Sequence, residues 1–180
     1  MFTITADTAL TDQGWQNDVQ LTIIDGKIDA ITTKPQHGDK TRSDAHVSIL
    51  LPAPCNLHSH AFQRAMAGLT EFRGDHPEDS FWTWRQLMYR FLETLTPEDI
   101  RAIAALVQME MLEAGYAAIG EFHYLHHQAD GTPYDDLAVM AAAISDAAIE
   151  TGIGMTLLPV LYQYGGCDKR PLGPGQIRFG

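Results

Sequence analysis

Leu50-Leu51-Pro52-Ala53-Pro54-Cys55-Asn56-Leu57-His58-Ser59-His60-Ala61-Phe62-Gln63-Arg64 is the stretch around which the rest of the chain can be ordered. An apolar run leads into two histidines separated by one residue. Side chains of a strand alternate faces, so on a strand His58 and His60 point the same way. Two imidazoles on one face, at the end of a buried strand, can share a single metal ion. Imidazole suits zinc and other borderline transition metals. A bare His-x-His is a weak signal, because many such pairs are surface or hydrogen-bonded histidines. The setting sharpens it: a Pro-punctuated apolar segment precedes the pair, and the polar Gln63-Arg64 follows.

Upstream, residues 1 to about 50 read as β. Thr3 to Ala9, Val19 to Ile24, Ile28 to Ile31 and Val47 to Leu51 are short strands, with Asp25-Gly26-Lys27 as a tight turn. The polar segment Thr32 to Asp44 reads as a loop. His37 and His46 sit in polar surroundings and are expected to be solvated.

Downstream the character changes. Leu57 to His60 closes a strand, and Arg73-Gly74-Asp75-His76-Pro77 breaks any helix. Phe81 to Leu92 is aromatic-rich and predicted helical. Thr96-Pro97-Glu98-Asp99 opens a second helix, with Thr as N-cap, Pro at the first position and acids in the first turn. Apolar residues spaced by three and four carry it to Gly115. Tyr116 to His123 is a second strand, Tyr134 to Thr151 a helix stopped at Gly152, and Ile153 to Leu161 a third strand, apolar on both faces. Strands alternating with long helices predict parallel β-α units and an α/β fold. Residues 1–51 and 52–180 are the expected divisions. Three β-α strands do not close a (β/α)8 barrel, which needs eight and roughly 250 residues. The chain is therefore expected to be the front part of something longer.

In parallel β-α folds catalytic groups sit at the C-terminal ends of strands. The first strand delivers His58, His60 and Gln63 there. The second delivers Glu121, His123, Tyr124, His126 and His127, and the third Tyr162 and Tyr164. Each also has a plainer role. Glu121 can satisfy backbone groups or pair with an arginine. His126 and His127 are expected in a solvated turn, while Trp82 and Trp84 are expected to pack.

Composition bounds the alternatives. Of 180 residues, 45% are hydrophobic and 19% charged, which is ordinary globular usage. No apolar run is long enough to span a bilayer, and the N-terminus lacks the features of a secretory signal. Two cysteines are too few for a disulfide framework, so a reduced, cytoplasmic protein is expected. A net charge of -11 disfavours a nucleic-acid surface. An anionic substrate would need locally placed arginines. There is no phosphate-binding Gly loop and no Ser nucleophile elbow.

Four blocks add a resemblance. His58-Ser59-His60 behind a β-rich segment resembles the amidohydrolase superfamily of metal-dependent hydrolases. Asn56 to Arg64, Ser80 to Arg85, Met111 to Tyr116 and Gly120 to His127, in this order, resemble the formimidoylglutamate deiminase family more closely, over essentially the whole chain. The resemblance implies a (β/α)8 TIM-type barrel, with about three β-α units present here, preceded by part of a small β-sandwich. It implies that His58 and His60 are two ligands of one catalytic zinc, with another divalent metal as the alternative. It also implies that Gln63, Arg85 and Tyr124 line the site of a dicarboxylate substrate. An arginine there makes physical sense, since its fork can hold a carboxylate bidentately. The implied reaction is hydrolysis of N-formimino-L-glutamate to N-formyl-L-glutamate and ammonia in histidine degradation. A third histidine ligand, an aspartate ligand and an acid/base histidine come from later strands in the family. No catalytic acid or base is expected among residues 1–180, and the chain by itself is expected to be inactive. The full-length family member is expected to be a homodimer. The runner-up readings are a guanine- or triazine-type deaminase and a non-catalytic interaction module.

Overall fold

A computed structural model describes residues 1–33, 43–70 and 80–180. His37 and the Arg73–Pro77 break lie outside the described residues. The chain divides into two compact units, Met1–Ala53 and Pro54–Gly180.

The first unit is a four-stranded sheet in the order β3-β2-β1-β4, formed by β1 (Phe2–Thr11), β2 (Gly14–Ile24), β3 (Lys27–Thr33) and β4 (Ala45–Leu50). The first three strands are an antiparallel meander, and β4 runs parallel to β1. Asp25 and Gly26 both have positive φ, 50° and 76°. That is the backbone of a tight hairpin turn whose twist matches its strands. The first hairpin runs further than the sequence predicts. Thr11 closes it by accepting from the Gln13 amide and donating to the Gly14 carbonyl, a local side-chain device that hydrophobic pattern does not reveal. Ala6, Ala9, Val19 and Leu21 form this unit's buried cluster. A sandwich needs a second sheet, which the described residues of this unit do not supply. His46 is exposed, as expected, with its Nε2 3.4 Å from Asp7.

The second unit is α/β. Its parallel sheet has the order β5-β6-β7, from β5 (Cys55–Ser59), β6 (Ala118–His123) and β7 (Gly154–Pro159). A 3-10 turn (Ala61–Met66), α1 (Phe81–Leu92) and α2 (Pro97–Glu113) connect β5 to β6, and α3 (Val139–Thr151) connects β6 to β7. Reciprocal capping boxes open the first two helices: Ser80 with Thr83, and Thr96 with Asp99. Gly115, at φ 89°, ends α2 in the left-handed backbone that glycine adopts at least cost. The core joins Phe62, Leu92, Ile100, Leu125, Met140, Ile144 and Phe179.

Two local expectations are corrected. The third helix starts at Val139 rather than Tyr134. Asp136 accepts the Ala138 amide at 2.9 Å and Asp130 accepts the Thr132 amide at 2.9 Å, so these carboxylates hold the backbone in turns that compete with helix. The histidine strand is not buried: β5 lies at the sheet edge, and Leu57 is 83% exposed. No helix of the described residues is long and apolar enough to cross a membrane.

Candidate active site

The site begins with a break in regular pairing. β5 and β6 lose register between Asn56 and Ser59. Asn56 supports this irregularity, since its Oδ1 accepts the His58 amide at 3.1 Å and its Nδ2 reaches the Met111 sulfur at 3.3 Å. His58 and His60 leave the strand end on the same side, as the alternation predicts, and their Nε2 atoms stand 3.2 Å apart. The Phe122 carbonyl lies 3.0 Å from His60 Nδ1. A carbonyl can only accept, so the proton sits on Nδ1 and the Nε2 lone pair of His60 is free for a cation. This is how ligating histidines are usually oriented. Two imidazoles on a tetrahedral ion at about 2.0–2.1 Å place their nitrogens roughly 3.4 Å apart. The pair therefore fits shared coordination. Without a cation the same geometry is a hydrogen bond from His58 to His60. Among the described residues no group of three His, Cys, Asp or Glu side chains comes together to hold a metal.

The two histidines open into a cleft of about 600 Å³. Gln63, Arg85 and Tyr124, each singled out from the sequence, line it as well. Gln63 comes from the 3-10 turn that follows His60, and its Nε2 donates to the Tyr124 hydroxyl at 3.2 Å. Tyr124 is 5% exposed, and burial pushes its phenol up to about 12, so it keeps its proton at neutral pH. That proton points at the Met88 sulfur, 3.7 Å away. A thioether is a weak acceptor, which an entering carboxylate would outcompete. Arg85, on α1, is half-buried and lies over two rings, 5.3 Å from the Tyr89 centroid and 5.9 Å from that of Trp82. Among the described residues no carboxylate pairs with Arg85. The neighbouring Arg64 instead forms a bidentate pair with Glu110 of α2, at 2.6 and 2.7 Å, which anchors the turn.

Other expected site residues fall elsewhere. Along β6 the side chains of Ile119, Glu121 and His123 are buried, while Gly120 and Phe122 face the cleft. Glu121 and His123 therefore point away from it. Glu121 accepts the Ala61 amide at 2.6 Å, the backbone-satisfying role. His123 is 2% exposed, and desolvation lowers its pKa to about 4. His126 and His127 are not a solvated turn. Their amides donate to the Arg178 carbonyl, and His126 Nε2 meets the Val160 carbonyl at 2.9 Å. Trp84 packs against the core, but Trp82 is 61% exposed and contributes its ring to Arg85. Tyr162 lines the cleft and stacks on Tyr124 at 5.6 Å, whereas Tyr164 lies outside it.

Contributors that were not singled out include Met88, Phe179, Arg178 and the Phe122 carbonyl beside His60 Nδ1. Met88 follows Arg85 by three on one helix face, a spacing that could have revealed it. Phe179 and Arg178 arrive from a Gly/Pro-rich segment without periodicity. Arg178 donates to the carbonyls of His127, Leu92 and Leu95, and so ties the end of α1 to the loop behind Tyr124.

Comparison with known proteins agrees with the resemblance drawn from the four sequence blocks. A family model described as "Formimidoylglutamate deiminase HutF, N-terminal domain" matches residues 1–43. The chain is 49% identical to formimidoylglutamate deiminase of Pseudomonas aeruginosa over 180 residues, 99% of this chain and 39% of that protein. A crystal structure of an amidohydrolase from Brucella melitensis superposes with a TM-score of 0.87 at 45% identity, again over 99% of this chain and 39% of the other. A zinc- and atraton-bound mutant of atrazine chlorohydrolase TrzN from Arthrobacter aurescens shares the fold, with a TM-score of 0.67 at 20% identity over 92% of this chain and 37% of that one. The chain thus spans about two-fifths of the length of the relatives it matches. Along nearly all of its own length, it is similar to the N-terminal portion of formimidoylglutamate deiminase, an amidohydrolase.

Proposed function

We propose that this chain carries the metal-anchoring and carboxylate-binding part of a zinc-dependent formimidoylglutamate deiminase, which hydrolyses N-formimino-L-glutamate to N-formyl-L-glutamate and ammonia. One observation carries the reading. The paired Nε2 atoms of His58 and His60 open into the same cleft as Arg85, Gln63 and Tyr124. The sequential order β5-β6-β7, all parallel, supports three consecutive units of a (β/α)8 barrel. The ends of those strands are where that architecture places its chemistry.

His58 and His60 would hold the ion through Nε2, with the remaining ligands from outside the described residues. Zinc in such a site acidifies water and polarises the bond under attack. The chain's own residues bind and orient. Arg85 presents a planar fork for one carboxylate, and Tyr124, kept protonated by burial, donates a further hydrogen bond. Gln63 holds the Tyr124 oxygen in place. A substrate with two negative charges approaches a chain of net charge -11, so this local cation has to overcome the global field. A neutral guanine or triazine ring has no need of it, which favours the dicarboxylate.

Calorimetric titration of the chain in zinc tests the assignment. N-formimino-L-glutamate should bind, guanine should not, and Arg85→Ala should abolish the difference. Equal binding of both ligands to the unaltered chain would contradict it. The reading draws the third histidine ligand and the acid/base histidine from later strands of the family, so the chain by itself should release no ammonia. Measurable release would sink that part of the proposal.

A further inference from the structure

We infer that Glu121 is the positioning residue of the histidine pair, a carboxylate on the far side of the sheet that fixes the backbone around His60. The inference rests on the metal reading of His58 and His60 given above.

Ser59 and Glu121 are cross-strand partners in the β5–β6 pairing, and both are buried, at 7% and 1% exposure. They occupy the face opposite the cleft. The Glu121 carboxylate takes the Ala61 amide at 2.6 Å through Oε1. The residue that follows His60 is thus held by this side chain. The next residue of β6 completes the arrangement, because the Phe122 carbonyl holds His60 Nδ1. Two consecutive residues of one strand therefore set the backbone and the ring of the same histidine. No other tether of this kind is needed at Gln63, whose amide returns to the His60 carbonyl at 3.0 Å and inherits the same placement.

Stability alone does not explain the carboxylate. Its Oε2 is buried and meets no donor among the described residues. A carboxyl that leaves one buried oxygen unsatisfied carries a desolvation cost that its single hydrogen bond offsets only in part. A positioning role accounts for its presence where a packing role does not.

The test separates the two roles with Glu121→Leu and Glu121→Gln, both read against the unaltered chain. Ring 15N NMR of the histidines reports the His60 tautomer without metal, and a zinc titration followed on the same signals reports affinity. Thermal melts follow folding. In Glu121→Leu the fold should be retained with a somewhat lower melt, because the buried Ala61 amide loses its acceptor. The Nδ1-protonated form of His60 should lose its dominance, and zinc affinity should fall about 10–100-fold, the usual effect of removing an outer-shell partner. Glu121→Gln keeps a carbonyl oxygen for the Ala61 amide and should stay within about threefold of the unaltered chain. Glu121→Leu with unaltered ring signals and zinc affinity would overturn the inference and leave the metal reading standing. A Glu121→Leu protein that loses fold and zinc together would also overturn it, in favour of a structural role. Absence of any zinc effect on His58 and His60 in the unaltered chain would overturn the metal reading, and the inference with it.

Discussion

At the scale of single residues, the chemistry of the cleft is a matter of which groups are left available. Arg85 lies over the rings of Trp82 and Tyr89, with no carboxylate pairing it among the described residues. Lysine keeps the charge but loses both the fork and the flat surface that stacks on the rings. Arg85→Lys should therefore weaken binding of N-formimino-L-glutamate roughly tenfold by calorimetry, about 1.4 kcal/mol. His123 sets a pH dependence. Folding keeps it neutral down to about pH 4, whereas an unfolded histidine titrates at its ordinary value of 6.5. Its contribution is fully present above pH 6.5 and is lost as the pH falls from 6.5 through 4, on the order of 3 kcal/mol in all. Glu121 acts in the opposite sense. Burial raises its pKa, so its contribution is present at low pH and lost as the pH rises through the raised value. Comparing urea melts of His123→Phe and the unaltered chain at pH 7 and pH 4.5 isolates the histidine. The variant should lose much less stability on acidification, and equal losses would contradict the assignment. The pairing of His58 and His60 was legible from strand alternation, while the substrate-site reading of Gln63, Arg85 and Tyr124 came from the resemblance; all five line one cleft. The opposite orientation of Glu121 was within reach of the same alternation, since Gly120 and Phe122 take the cleft face.

At the scale of elements, caps and ties decide the boundaries. Thr96, Pro97 and Asp99 announced the start of α2, and their capping box is present. Thr96→Ala should lower stability by about 1 kcal/mol in chemical denaturation, with an unchanged m-value. The start of α3 was misread because Leu137 and Ala138 continue the apolar pattern upstream of it, while Asp130 and Asp136 spend their carboxylates on turns. Arg178 was invisible to periodicity because its work is done through backbone carbonyls contributed by residues more than fifty positions away. Replacing it by methionine removes a buried charge but leaves those carbonyls unpaired. A net loss of about 1–3 kcal/mol is expected. A thermal melt indistinguishable from that of the unaltered chain would show that the tie carries no weight.

For the whole molecule, the sequence made the α/β character of the second unit plain through the alternation of apolar runs and long helices. In the first unit the Asp25-Gly26 turn made the second hairpin readable, while the first hairpin was not. The edge position of the histidine strand was not, because strand order depends on contacts far apart in sequence. Similarity to formimidoylglutamate deiminase fits the chemistry proposed for these pieces, in which His58 and His60 would anchor a metal beside an arginine suited to a carboxylate. Zinc K-edge X-ray absorption on the zinc-loaded chain tests that claim most directly. The account predicts two imidazole nitrogens at about 2.0–2.1 Å, both lost in the His58→Ala, His60→Ala double variant. A shell of oxygen ligands alone, or an imidazole shell that survives the double substitution, would contradict it.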